Sequence, residues 1–146
     1  MPTTVNEVTT SIWIDAPVET VWNAVTSPAL IKKWFFGVDT DAEWRVGGRL
    51  VHRGTYQGKP YVDSGEILEL APPRHLVHTH WSDVSGRPDL PENREIVSWD
   101  LVDDDGGTSL TIGEQNLASA DAASTSEEAW QAALQSLKSL LEGSET

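Results

Sequence analysis

Cysteine is absent from all 146 residues. That excludes a disulfide framework, a thiolate nucleophile and any zinc site built on sulfur. Basic residues are scarce, with 10 Lys and Arg against 23 Asp and Glu and a formal net charge of −13. So acidic a surface repels phosphate, and the sequence predicts no nucleic-acid partner and no binding to anionic membranes. No apolar run approaches the roughly 20 residues of a membrane-crossing helix. Nor do the first thirty residues carry a basic region, an apolar stretch and a small-residue cleavage site in series. A cytoplasmic location is the expectation. Phe and Tyr number two each, whereas Trp occurs seven times. Rings at Trp13, Trp22, Trp34, Trp44, Trp81, Trp99 and Trp130 build either a bulky core or the walls of an apolar pocket.

The strongest periodic signal lies near the end of the chain. From Ser126 to Glu142, Trp130, Ala133, Leu134, Leu137, Leu140 and Leu141 recur at three- and four-residue spacing and form one apolar stripe. Ser124 with Glu127 reads as a capping box, and Gly143 stands where a left-handed C-terminal cap is expected. So one-sided a helix needs a wide apolar partner, and the residues before it are patterned to supply one.

Glu7 to Ile14 alternates as a strand, with Ile12 and Ile14 on one face and Trp13 on the other. Asp15-Ala16-Pro17 opens a short helix with a Val18, Val21, Trp22, Val25 stripe. Ser27-Pro28 opens a second, Ala29 to Trp34, with Leu30 and Trp34 on one side. The period then changes to two. Strands are predicted over Arg49–Tyr56, Tyr61–Leu70, Arg74–Ser82, Arg94–Val102 and Ser109–Gln115. Gly47-Gly48 reads as a bulge or tight turn, Pro72-Pro73 as a strand stop, and Asp83–Glu92 as a long loop. The acidic run Asp103–Asp105 lacks calcium-loop spacing and reads with Gly106-Gly107 as a hairpin turn. Leu117–Ser124 is expected to be a connection.

This order predicts one α+β domain over residues 1–146. A curved antiparallel sheet of six to seven strands wraps a long C-terminal helix, and two short helices follow the first strand. A sheet curled round one helix encloses a cavity, which is where function is expected.

The run Ile14-x-Ala16-Pro17-Val18-Glu19-x-Val21-Trp22-x-Ala24-Val25-Thr26-x-Pro28 resembles the opening signature of the START-like, or SRPBCC, superfamily. Trp34-Phe35, Trp44-Arg45-Val46-Gly47-Gly48-Arg49, the stretch Gly65–Leu76, Val97–Leu101 and Gly107–Thr111 extend the likeness, and Trp130-x-x-x-Leu134-x-x-Leu137 closes it. The chain most resembles the branch named after the activator of the ninety-kilodalton heat-shock-protein ATPase. That resemblance implies the helix-grip fold and a ligand cavity, with no shared catalytic set; a chaperone partner or stress-response role enters through the branch's name. The sequence departs from the pattern in Phe36, an extra ring, in His78 and His80, where aromatics are usual, and in Ala129, where Gly often precedes the helix Trp.

Candidate lining of the cavity is Trp34, Phe35 and Phe36 after the second helix, and Leu50, His52, His78, His80, Trp99, Leu110, Ile112, Glu114 and Leu117 along the sheet. Trp130, Leu134 and Leu137 come from the long helix; each of these residues reads equally well as plain core. His78 and His80 share a strand face, and His52 lies across the sheet from them, so three imidazoles have the chemistry of an open zinc site. Alternatively each replaces a pocket aromatic and hydrogen-bonds locally. No motif fixes a coordination geometry, so neither metal nor cofactor is predicted. Glu114 and Glu66 each lie either at the cavity, where burial would raise their pKa, or in water; no Ser-His-Asp spacing supports a catalytic set. His75 reads as a surface residue. The leading expectation is a small-molecule binding protein for an apolar or aromatic ligand, monomeric or paired through the face carrying Trp13. The alternatives are a chaperone-partner module and a cavity enzyme of cyclase or hydrolase type.

Overall fold

A computed structural model describes residues 6–143. Its elements are β1 (Val8–Ile14), α1 (Val18–Thr26), α2 (Pro28–Trp34), β2 (Asp39–Ala42), β3 (Arg49–Tyr56) and β4 (Lys59–Ala71), then β5 (His75–Ser82), β6 (Glu95–Asp104), β7 (Gly107–Gln115) and α3 (Ala120–Leu141), with a 3-10 turn at Pro91–Asn93. The seven strands form one antiparallel sheet in the order β1-β7-β6-β5-β4-β3-β2. It curls around α3 in the α+β helix-grip arrangement.

Local chemistry accounts for the turns. Gln57-Gly58 closes β3 onto β4 and Asp105-Gly106 closes β6 onto β7, with φ of 52° and 81° in the first turn and 54° and 84° in the second. Two consecutive positive φ angles define the two-residue turn whose twist matches that of paired strands. A bulge between Ile67 and Glu69 bends β4 against β5. Beside it the strands press so close that a Cβ on Gly65 would sit 1.8 Å from the Thr79 carbonyl oxygen. Bulge and glycine together increase the local twist, which is how the sheet curls at this point.

Three expectations are corrected. The long helix starts at Ala120, so Leu117–Ser124 is mostly helix rather than connection, and Ser124 is exposed inside it. The cap is Ser119, whose hydroxyl accepts the Ala122 N–H at 3.0 Å, with Asp121 favourable in the first turn. Alanine favours helix without marking a face, so apolar spacing could not reveal this turn. Secondly, the structure adds β2, a short edge strand with exposed carboxylates, whose Asp-Thr-Asp-Ala has no apolar alternation to mark it. Thirdly, the stripes of the short helices are shifted. Ala24 is fully buried and Trp22 half-buried in α1, while Ile31 joins Trp34 as the buried side of α2 and Leu30 is half-buried. The Trp34 indole N–H donates to the Ala24 carbonyl at 2.9 Å and pins the two helices together.

The core runs between the sheet and α3, through Ile14, Val21, Ile67, Leu76, Leu101, Leu110, Leu134 and Leu137. Trp13 stands on the edge strand with 38% exposure. Its indole N–H donates to the Asp104 carbonyl, and the Lys138 ammonium lies 5.3 Å from the ring centroid. No helix among the described residues is long and apolar enough to cross a membrane.

Candidate functional site

Strand alternation sets the layers of the interior. Along β7 the inward residues are Leu110, Ile112 and Glu114, and along β6 they are Leu101, Trp99, Val97 and Glu95. The register pairs Leu101 with Leu110, Trp99 with Ile112 and Val97 with Glu114. On the other side His78 faces Val97, His80 faces Glu95, and Asp63 of β4 faces His52 of β3. Apolar residues thus fill one end of the grip and titratable ones the other, where a pocket of about 150 Å³ remains. Phe35, Phe36, His52, Asp63, His78, His80, Val97, Trp99, Glu114, Ser126, Ala129 and Trp130 line it.

Rings form one wall. Phe35 lies 5.2 Å from Phe36, 5.5 Å from the His52 ring and 5.7 Å from Trp130, and Trp130 meets Trp99 edge-on at 5.3 Å between centroids. Such offset and edge contacts are the favoured aromatic geometries. Phe36 sits at the mouth, 55% exposed and at φ 55°. A left-handed backbone is uncommon outside glycine and is often found where a site holds a side chain in place.

Bonded to the rings is a chain of titratable groups. The His80 Nδ1–H donates to Glu95 at 2.7 Å and its Nε2–H to Asp63 at 3.2 Å. Burial alone would lower the His80 pKa, but these two carboxylates push it up to about 10. Burial would likewise raise Asp63 and Glu95, yet the bond from His80 holds both below the usual carboxylate range. Ser82 also helps to keep Asp63 ionised, while Oδ1 of Asp63 is buried without a hydrogen-bonding partner of good geometry. Glu114 hydrogen-bonds Glu95, and its Oε1 accepts from the Ser126 hydroxyl and, at 3.0 Å, from the Trp130 indole N–H. Burial and the neighbouring Glu95 charge push Glu114 up to about 7 despite those two donors.

His52 and His78 behave oppositely to His80. Burial takes His78 down to about 3 and His52 to about 4, so both are neutral. The His78 Nδ1–H donates to the Thr79 carbonyl at 2.9 Å, and Nε2 accepts the Trp99 indole N–H at 3.0 Å. His52 Nδ1 bonds the Thr40 hydroxyl at 2.8 Å.

These bonds dispose of the three-imidazole zinc arrangement. Both nitrogens of His78 are spent, and His80 is an imidazolium with no free lone pair. Among the described residues, the ligand atoms that converge to within 4.8 Å of one another belong to His80, Glu95 and Glu114. A cation there would have to displace the proton that His80 shares with Glu95, which is held far above neutral pH.

The other residues expected at the cavity are placed as follows. Trp34 and Leu50 border a void of only about 20 Å³ beside the pocket. Leu110, Ile112, Leu117, Leu134 and Leu137 are buried in the aliphatic core and do not line the pocket. Glu66 is exposed, which settles it in water. Sequence reasoning missed Asp63, Glu95, Val97, Ser126 and Ala129. Alternation could have found three of them, since Glu95 and Val97 share a strand face with Trp99 and Asp63 shares one with Ile67. His75 lies outside the pocket, where it bridges Glu69 at 2.7 Å and Asp100 at 2.6 Å; those bonds raise its pKa. Trp81 donates to the Arg87 carbonyl in the long loop.

Several solved structures share this architecture. The solution structure of ChR145 from Cytophaga hutchinsonii is 31% identical, covers 98% of each chain and superposes with a TM-score of 0.82. Protein CV1439 from Chromobacterium violaceum is 25% identical over 94% of this chain and 97% of its own, at a TM-score of 0.81. CalU16 from Micromonospora echinospora is 28% identical over 90% of this chain and 73% of its own, at 0.70. No curated protein matches the chain. A protein-family model does, over residues 15–142, from β1's end through the whole of α3. The chain therefore belongs to the family described as activator of Hsp90 ATPase homolog 1-like protein.

Proposed function

We propose that the protein binds a small molecule in the pocket between the sheet and the first turns of α3. The observation that carries this reading is the pocket itself. A space of about 150 Å³ is left beside the core, and rings form part of its wall. A cavity of that order holds a benzene-sized body. Exposed Phe36 and Ala129 at the rim leave it open to a ligand. The fold is compatible with a protein partner too, but a pocket of this shape favours the ligand.

The test uses toluene as the probe and the indole N–H resonances of Trp99 and Trp130 as reporters. Saturable shifts at both, with Trp13 unmoved, are expected. Ala129→Trp, which fills the rim from an exposed position, should abolish them. Absence of saturable shifts, or identical shifts in Ala129→Trp, would sink the reading.

A second reading rests on Glu114. A carboxyl near 7 beside a pocket is poised to take up and release a proton at neutral pH, as acid–base chemistry on a bound molecule would require. It presupposes the same binding step.

A further inference from the structure

Resting on the binding reading above, the donor and acceptor inventory of the pocket narrows what it takes. Nearly every N–H and O–H along its wall is already given away. The Trp130 indole and the Ser126 hydroxyl donate to Glu114, and the Trp99 indole donates to His78. The His78 Nδ1–H goes to Thr79, and both N–H groups of His80 go to carboxylates. His52 alone keeps a ring nitrogen, Nε2, that can serve in either role, since its Nδ1 is engaged with Thr40. A carbonyl or carboxylate ligand would therefore enter a site with almost nothing to donate to it.

Acceptors are in surplus. Asp63 lines the pocket, and its Oδ1 is buried without a partner of good geometry, an unmet acceptor of the kind native structures rarely leave. Charge points the same way. Asp63 and Glu95 are both ionised against His80 and, at Glu95, the Arg87 guanidinium, so ionisation of Glu114 leaves this wall with an excess negative charge. The rings of Phe35, Phe36, Trp99 and Trp130 complete the lining. Aromatic rings attract a cation within about 6 Å of their centroids, and more strongly where water is excluded.

We infer that the ligand is a small organic cation: a protonated amine on an apolar body about the size of a benzene ring, its N–H groups meeting Asp63 and Glu114 and its body lying among the rings. Anions of the same size are rejected by the charge, and neutral isosteres bind without the carboxylate contribution.

Three probes of one shape separate these cases: benzylammonium, benzyl alcohol and benzoate, titrated at pH 8 by calorimetry or by the tryptophan resonances. Benzylammonium should bind at least about tenfold more tightly than benzyl alcohol, the equivalent of one favourable desolvated charge contact. Benzoate should not bind. In Glu114→Gln and in Asp63→Asn the ratio of amine to alcohol affinity should fall toward one. Because that ratio is taken within each variant, it does not depend on how much of the variant is folded. Equal or tighter binding of benzyl alcohol would overturn the cation assignment while leaving the binding reading intact. Binding of benzoate in preference to the amine would overturn it as well. If none of the three probes bound, nor toluene, the assignment would fall together with the binding reading.

Discussion

The two ends of the space under α3 are built by the same strands to opposite ends. Along β7 the inward positions run from Leu110 and Ile112, both wholly buried, to Glu114, also buried but titratable. Along β5 they run from Leu76 through His78 to His80. At the aliphatic end nothing is held but shape. At the other end the same alternation delivers charge, and each charge is tolerated only because a neighbour answers it. His78 and His80 make the point within one strand. Two residues apart on one face, the first is kept neutral by burial that no carboxylate answers, its partners being a carbonyl and an indole, and the second is cationic because its partners are two carboxylates. Burial presses on both alike; hydrogen-bonded charge decides between them.

The largest effect is expected where only shape is at stake. Leu137→Ala removes a side chain with no solvent exposure and should cost about 3–5 kcal/mol in urea denaturation, as large-to-small core changes do. That loss should be the same at pH 5 and pH 9. A pronounced pH dependence would show that the two ends are not separate.

His80→Leu should come next and behave differently. Removing the imidazolium strands two carboxylates, but 28% of the His80 side chain is exposed, so about 2–4 kcal/mol is expected rather than the upper range for a buried pair. The sign follows from linkage. A histidine whose folded pKa is raised from 6.5 to about 10 lends stability that is complete below about 6.5 and lost as pH climbs toward 10. Asp63 and Glu95, lowered, lend theirs above the carboxylate range and lose it in acid. The cost of His80→Leu should therefore be greatest near pH 5–6 and shrink on the alkaline side. Adding Asp63→Asn and Glu95→Gln should recover much of it; a triple variant no more stable than the single one would contradict the charge argument.

The smallest effect is a gain. Glu114 is raised from 4.5 to about 7, so its ionisation weakens the folded state progressively between those values. Glu114→Gln keeps an acceptor for Ser126 and Trp130 and cannot ionise. Relative to its difference from the parent at pH 4.5, it should gain on the order of 2–3 kcal/mol by pH 8. Thermal melts across that range measure it, and parallel curves for the two proteins would show that Glu114 stays protonated or was never strained.

Much of this architecture was legible in the residues. Trp130, Ala133, Leu134 and Leu137 announced α3 through helical spacing, and strand alternation put His78 with His80 and Leu110 with Glu114. What escaped is instructive. Ser119 and the alanines after it carry no apolar stripe, so the helix start went unseen; β2 is too polar to register as a strand. Leu110, Ile112, Leu134 and Leu137 could be assigned to the sheet–helix interior, but not to core rather than pocket. That distinction is a matter of depth along the strand, and the strand period is blind to it.

The sequence by itself determined the covalent and periodic facts: no thiol chemistry, an acidic surface, a grip of strands around one amphipathic helix, and the faces on which its titratable residues lie. Only the tertiary structure decided their states. Asp63, His80, Glu95, Glu114 and Ser126 come from four strands and a helix, and no local spacing predicts that they join into one chain. A protonation state depends on the charge and water within a few ångströms, and those distances exist only once the sheet has curled.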